Sequence, residues 1–231
     1  MRQYFTKAIL FSSVMVLSAC GSLSDMTSGR GVTAPSVAKA PKALGMDLAA
    51  LEQKAMGLKT FEYRYNQNQY VAYLSSQPEL IKAQEAEGSS QFFYKAGKLV
   101  AALDQSGVYQ FGADGKVANA FNAQGNPQSV NTDNATKISA KASKLYKMFS
   151  YNKADNTAAN MKTGNDAKLN YLCIAKIQQV AQTQRVFRSP ENAVLTANSL
   201  NATVRLNGTQ FYKMDCQIAA NKVTKLSLMK K

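Results

Sequence analysis

Carboxylates are the side chains that could carry catalysis in this sequence, because its 231 residues include no histidine. Without histidine the chain lacks the usual general base, every Ser-His-Asp or Cys-His arrangement and the commonest zinc ligand. Glycan hydrolysis can proceed with two carboxylates alone, about 5 to 9.5 Å apart. Asp104 and Asp114 stand in successive predicted turns and could approach each other, although aspartate is also ordinary turn chemistry.

Cofactor and metal motifs are absent from the sequence. It has no glycine-rich phosphate loop, no G-x-S-x-G serine elbow and no carboxylate cluster at calcium-loop spacing. We therefore expect no cofactor and no metal.

Four lysines form the most suggestive binding pattern. They stand three or four positions apart, so on a helix they would line one side: Lys137, Lys141, Lys144 and Lys147. An apolar stripe runs beside them: Ile138, Ala142, Leu145 and Phe149. The lysines could contact anionic lipid headgroups, where each contributes about 1 kcal/mol near the surface. They could equally be the solvated flank of an ordinary helix.

The net charge favours anionic partners. Lysine and arginine number 28 against 14 acidic residues, a formal charge of +14. Charge of this size is an argument about partners rather than about fold. Lipid headgroups, lipopolysaccharide phosphates and acidic proteins all fit, and nucleic acid is not excluded. The charge argues against inhibition of a basic lysozyme, because such an inhibitor should be acidic.

The first 20 residues have the order of a secretory signal: a basic start, an apolar run over 8–17, and small residues before a cysteine. The run is too short to span a bilayer, which takes about 20 apolar residues. Leu17-Ser18-Ala19-Cys20 resembles the lipobox of the bacterial lipoprotein signal class. The resemblance implies lipidation of Cys20, and Gly21 after it implies the periplasmic face of the outer membrane. A plain signal with an unrelated cysteine is the alternative.

Two cysteines remain after lipidation, Cys173 and Cys216. In an oxidising periplasm an isolated pair is expected to form a disulfide, with two free thiols as the alternative. The 43-residue separation corresponds to about 4 kcal/mol in the chain-entropy model. The spacing is not that of a C-x-x-C redox motif.

The composition along the chain predicts four segments. Residues 1–19 are the signal, 20–45 are the lipidated cysteine and a flexible tether, and 46–131 and 132–231 are α+β regions. The tether is rich in small residues and has few large apolar ones, so it cannot bury enough surface to offset its ordering entropy. We expect mainly antiparallel sheet with a few flanking helices.

The region 46–131 should begin with a short helix capped by Asp47. A strand pair with a turn at 66–68 follows, and its Phe61, Tyr63 and Tyr65 row is either a buried face or an exposed stacking platform. Pro78 and Gly88 bracket a second predicted helix.

An 18-residue repeat is the clearest internal pattern, since 97–107 recurs as 115–125 with its Gly, Lys and Ala positions kept. Each copy is a glycine turn followed by a short alternating strand, which predicts an antiparallel meander of four strands over 91–122. In each copy two apolar residues should share one face: Leu99 with Leu103, and Val117 with Phe121.

The region 132–231 should contain the lysine-bearing helix, a loop over 152–166 and three final strands at 202–206, 210–218 and 222–229. Asn207-Gly208 is a strong hairpin signal. Residues 169–187 are ambiguous between helix and strand, and the alternation of Tyr171, Cys173, Ala175 and Ile177 favours a strand.

We expect an outer-membrane-anchored periplasmic lipoprotein whose folded part is a non-enzymatic binding or envelope-accessory module with a basic surface. The alternatives are a carboxylate-dependent enzyme acting on cell-wall glycan, and a periplasmic enzyme inhibitor.

Overall fold

The computed structural model describes residues 46–150 and 164–231, which form one mainly antiparallel sheet with helices on both faces. The helices are α1 (Leu48–Met56), α2 (Thr132–Phe149) and α3 (Asn165–Val180). The strands are β1 (Lys59–Tyr65), β2 (Asn68–Leu74), β3 (Pro78–Glu85), β4 (Gly88–Lys95), β5 (Lys98–Asp104), β6 (Gly107–Phe111), β7 (Val117–Asn122), β8 (Pro127–Gln128), β9 (Val186–Arg188), β10 (Val194–Leu195), β11 (Ser199–Leu206), β12 (Gln210–Ala219) and β13 (Lys222–Lys230). The predicted α+β class with a meander of hairpins is confirmed.

The strand order is β10-β11-β12-β13-β1-β2-β3-β4-β5-β6-β7-β8, with β9 also pairing with β11. Neighbouring strands of this order pair antiparallel except β1 and β13, which form the one parallel contact among the described residues. That contact makes the sheet continuous across the two regions divided at residue 131. None of the described helices is both long and apolar enough to cross a bilayer.

Each face of the sheet carries its own apolar core. On one face α2 and α3 bury Phe149, Leu145 and Ile177 against strand residues such as Phe61 and Leu226. On the other face α1 covers a smaller core through Leu48 and Ala55. Period-2 alternation assigns successive strand residues to opposite cores, which is why Phe92 belongs to the first and Phe93 to the second.

The helix predicted between Pro78 and Gly88 is wrong, because these residues form β3 and the turn into β4. Leu80 and Ile81 are both fully buried, one in each core, as in a central strand covered on both faces. Proline is tolerated at the first residue of a strand as well as at a helix N-terminus, so Pro78 does not discriminate between them.

The strand favoured for 169–187 is also wrong, since α3 runs to Val180 and only Val186–Arg188 is extended. Its buried residues recur at helical spacing: Leu169, Leu172, Cys173, Lys176, Ile177 and Val180. The alternation over 171–177 is a fragment of that pattern. The predicted loop 152–166 lies mostly outside the described residues, and its last two positions begin α3.

The 18-residue repeat forms β5 and β7 of the predicted four-strand meander, but the shared-face prediction is wrong in both copies. Each strand contains a bulge, at Val100 and at the equivalent Ala118, where one extra residue has no partner in the preceding strand. A bulge reverses the side-chain alternation beyond it. Leu99 and Val117 therefore pack on the α2 face, while Leu103 and Phe121 belong to the α1 core.

A disulfide joins Cys173 on α3 to Cys216 on β12, with an S–S distance of 2.09 Å. Both cysteines are fully buried in the larger core. The predicted pairing is confirmed, and its structural effect is to fix α3 on the sheet.

Candidate ligand-binding cleft

A cleft with a volume of about 640 Å³ lies between α2, the end of α3 and the sheet. That volume falls within the range of small-molecule sites, about 300 to 1,000 Å³. Its lining combines phenols, amides, two carboxylates, two lysines and aliphatic side chains: Tyr63, Tyr65, Asn68, Tyr70, Glu85, Glu87, Ala140, Lys141, Lys144, Leu145, Met148, Val180, Ala181, Gln182, Leu206, Asn207 and Gln210. We call this set the cleft.

Tyrosines from β1 and β2 form the floor of the cleft. The rings of Tyr63 and Tyr70 are stacked at 5.7 Å between centroids, and Tyr65 lies 5.6 Å from the ring of Tyr212. The Tyr65 and Tyr212 hydroxyls are hydrogen-bonded at 2.7 Å, and Tyr212 also donates to Gln210 at 3.1 Å. Because Phe61 and Tyr63 are at most 3% exposed, the aromatic row is the buried face of a sheet and no open stacking platform.

A three-membered polar cluster forms the wall beside α2. Tyr70 donates to Glu85 Oε1 at 2.6 Å, and the Lys141 ammonium lies 2.5 Å from Glu85 Oε2. Both oxygens of this carboxylate are therefore engaged. Since Glu85 ends β3 and Lys141 stands on α2, the ion pair also ties the helix to the sheet.

The phenols of Tyr63 and Tyr70 remain protonated at neutral pH. Burial raises the pKa of Tyr63 and of Tyr70, and the hydrogen bond to Glu85 adds to the effect at Tyr70. Burial, together with the hydrogen bond to Tyr65, raises the pKa of Tyr212 to about 12. Neutral phenols can donate and accept hydrogen bonds, but they cannot serve as phenolate bases.

The lysine stripe does not form one uniform surface. Lys141 and Lys144 line the cleft, whereas Lys137 and Lys141 line a neighbouring pocket of about 340 Å³ beneath the start of α2. Lys147 is exposed and lines neither. Among the described residues no carboxylate lies within ion-pair distance of Lys144. The apolar stripe beside the lysines is buried as predicted.

The meander carboxylates each stabilise their own turn. Asp104 accepts from the backbone N–H groups of Ser106 and Gly107, at 2.8 and 3.2 Å. Asn122, its repeat equivalent, accepts from two backbone N–H groups in the same way. Asp114 accepts from Lys116 N at 3.0 Å. The replacement of Asp104 by Asn122 between repeats thus keeps a turn hydrogen bond.

In the described ranges no group of three or more Cys, Asp or Glu residues could hold an ion. Cys20 and the rest of the lipobox lie outside those ranges.

Sequence reasoning did not identify Glu85, Tyr70 or Gln210 as members of a site. The helix predicted over 78–88 concealed Glu85, because only a strand places it two residues beyond Ala83, which pairs with Tyr70. From there its carboxylate accepts the hydrogen bond from the Tyr70 hydroxyl. Asn207 was recognised as a turn residue, and its φ of 53° fits that turn. Its position at the cleft depends on the sheet bringing β11 next to the end of α3.

No family model and no solved structure matches this chain. A curated protein of Pasteurella multocida (strain Pm70), the uncharacterised protein PM0674, is 58% identical to it over 231 residues, and the match covers 100% of both chains. That name assigns no activity, ligand or partner. Because the identity is this high over the whole length of both proteins, the chain belongs to the same family as the Pasteurella multocida protein.

Proposed function

We propose that this protein is a lipid-anchored envelope protein that binds a polar ligand in the cleft without changing it chemically. The ligand class that fits is an envelope glycan carrying a carboxylate or phosphate group. The cleft carries the proposal, because it combines hydroxyl and amide groups with one lysine, Lys144, that lacks an ion-pair partner among the described residues. Hydroxyl-rich ligands are held by such convergent polar groups.

The charges of the cleft favour a single anionic group over a polyanion. Lys141 and Glu85 neutralise each other as an ion pair. Lys144 and Glu87 then remain as one cation and one carboxylate. A ligand with one acidic group facing Lys144 and sugar hydroxyls facing Glu87 would satisfy both.

Binding is favoured over catalysis because Glu87 is the one cleft carboxylate outside the Glu85–Lys141 ion pair, whereas glycan hydrolysis needs two carboxylates. Glu85 is engaged at both oxygens, and the raised pKa values of the phenols keep them neutral. Cys20 at the lipobox supports the lipid anchor, Gly21 after it supports the outer membrane, and the excess of basic over acidic residues supports a surface suited to the anionic envelope.

Calorimetric titration of the processed chain, residues 20–231 with Cys20→Ser, tests the binding claim. The probes are muropeptides and the core oligosaccharide of lipopolysaccharide. Lys144→Gln should weaken binding about ten- to a hundredfold, because a hydrogen bond to a charged group contributes about 1.5 to 3 kcal/mol. Lys147→Gln, one turn further along α2, is the matched control and should bind as wild type does. Equal losses in the two variants, or no binding of either probe, would contradict the proposal.

A carboxylate-dependent activity on wall glycan is the second candidate, because Glu85 and Glu87 both line the cleft. Incubation of the same glycans with the protein, followed by mass spectrometry, separates the two functions. Products formed by wild type and lost in Glu85→Gln and Glu87→Gln would identify an enzyme. Unchanged glycan that binds to the protein identifies a binding module.

The anchor has its own test. Labelling of growing cells with a fatty-acid probe should mark the protein, and Cys20→Ala should abolish the label. Label that persists on the variant would exclude Cys20 as the anchor.

A further inference from the structure

Exposed apolar side chains are concentrated at one end of the sheet. Five large ones are exposed in the described ranges: Met56, Val130, Phe187, Val194 and Phe211. Three of these lie on strands around β11, and the pairing register places them on one face. Phe187 is opposite Arg205, Arg205 is opposite Phe211, and Val194 is opposite Asn201. Clustered exposure of this kind marks an interaction surface, whereas scattered apolar residues need no explanation.

Cations are interleaved with the two rings. The Arg205 guanidinium lies over the Phe187 ring at 5.4 Å, and exposed Lys213 stands two residues from Phe211 on the same face. The Lys231 backbone N–H donates to the Phe211 carbonyl, so a further exposed lysine flanks that ring. We call Phe187, Val194, Arg205, Phe211 and Lys213 the platform. The nearest acid on this face of β12 is half-buried Asp215.

The platform lies on the face of the sheet that carries α1, opposite α2, α3 and the cleft. Alternation places Phe211 and Lys213 away from buried Tyr212 and Met214, which belong to the larger core. Among the described elements α1 is the one helix on this face, and it contacts β2 and β3, in the middle of the strand order. The platform is therefore left uncovered by the described residues.

We propose that the platform docks on the anionic surface of the membrane that holds the lipid anchor, with its apolar side chains in the interface and its cations at the headgroups. Aromatic rings are enriched at membrane interfaces, and basic side chains near anionic headgroups each contribute attraction. This inference rests on the proposed anchor. The 26 residues of the predicted tether, 20–45, can span at most about 90 Å, so the anchor leaves the platform within reach of the bilayer.

Docking would orient the molecule. With the platform on the bilayer, the cleft on the opposite face opens away from the membrane and toward envelope ligands. The docking site is also separate from the lysine stripe, which stands on α2 on the cleft side of the sheet.

Vesicle co-sedimentation of the processed chain, residues 20–231 with Cys20→Ser, tests the proposal without the lipid. The vesicles contain phosphatidylethanolamine with phosphatidylglycerol, and phosphatidylcholine vesicles serve as the uncharged comparison. The protein should bind the anionic vesicles, and Phe187→Ser with Phe211→Ser should weaken partitioning about tenfold. Met56→Ser with Val130→Ser removes two exposed apolar groups elsewhere and should leave binding unchanged.

A second pair of variants tests whether vesicle binding depends on where the positive charges lie or only on the total charge of the protein. Arg205→Gln with Lys213→Gln and Lys137→Gln with Lys147→Gln each remove two positive charges. The platform pair should weaken binding about tenfold at low salt, and the α2 pair should have little effect. All these side chains are exposed or at the surface, and thermal unfolding of each variant confirms that the fold is kept.

Three outcomes would overturn the proposal: no binding to anionic vesicles, equal losses in the two charge pairs, or no loss in either platform variant. Binding of oligothymidine that is lost with the platform, in a protein that ignores vesicles, would assign the surface to single-stranded nucleic acid instead. Because the protein tested carries no lipid, its failure to bind vesicles leaves the labelling test of Cys20 unaffected. Likewise, the calorimetric test of the cleft does not depend on the platform.

Discussion

Several turn residues in the hairpins of this protein have positive φ angles, and their residue types predict this conformation. The Asn207-Gly208 turn has φ values of 53° and 84°, as a type I′ hairpin requires. The equivalent repeat glycines Gly97 and Gly115 share a φ of 77°. Such positions can be predicted from sequence, because the need for positive φ restricts residue choice locally.

Gly107 offers a test at this scale, because a Cβ built there would lie 1.8 Å from the Phe121 carbonyl oxygen. Gly107→Ala must therefore push β6 away from β7, in addition to straining a φ of 146°. We expect the free energy of unfolding to fall by about 3 kcal/mol or more. Gly115→Ala is the control, since no atom lies within 4 Å of its Cβ position, and it should cost only about 1 kcal/mol. Urea unfolding of both variants measures the difference, and equal costs would contradict the close approach.

The tyrosines predict an alkaline limit to stability. The folded-state pKa of Tyr212 is raised from 10.0 to about 12, so the fold favours the neutral phenol. This contribution to stability is complete below pH 10 and is lost as the pH rises toward 12. Phenolate absorbance during a pH titration should show fewer than the 11 tyrosines of the chain ionising before the protein unfolds. Ionisation of all of them near pH 10 in a folded protein would contradict the buried floor of the cleft.

At the scale of elements, the sequence was informative where one periodicity dominates. The 3.6-residue pattern identified α2, and the hairpin signals identified β1, β2 and β11 to β13. The predictions for β3 and α3 were wrong. Proline is accepted at the first residue of a strand and of a helix, so Pro78 does not distinguish them. The apolar residues from Tyr171 to Ile177 fit both the two-residue period of a strand and the 3.6-residue period of a helix. The bulges at Val100 and Ala118 cannot be recognised in the hydrophobic pattern. Around β5 and β7 the sheet has an apolar core on each face, so apolar residues are accepted on either side.

The disulfide is the element-scale constraint whose effect can be measured. Because it joins α3 to β12 across 43 residues, reduction should lower the free energy of unfolding by about 4 kcal/mol in the chain-entropy model. Urea unfolding of the Cys20→Ser processed chain, with and without dithiothreitol, gives this difference. The Cys173→Ser, Cys216→Ser double variant should match the reduced protein and show no response to the reductant. A response in the double variant would mean that dithiothreitol acts elsewhere.

For the whole molecule, the cleft is a consequence of topology that sequence reasoning could not reach. Its walls come from positions as distant as Tyr63, Lys144 and Gln210, and they meet only because β13 pairs with β1. The lysines were singled out by spacing, but nothing in that spacing distinguishes Lys141, which is paired with Glu85, from Lys144. The platform could not be predicted from the sequence either. Phe187 and Phe211 come close only because β9 and β12 pair with opposite edges of β11, where both residues lie opposite Arg205.

We expect the cleft to hold an envelope glycan in the living cell. A photo-crosslinking amino acid at Gln182, which is exposed and lines the cleft, tests it most directly, with the same substitution at Lys147 as control. After irradiation of intact cells, mass spectrometry should find a saccharide adduct at position 182 and none at position 147. Adducts of equal yield at both positions, or protein adducts without saccharide at position 182, would contradict the claim.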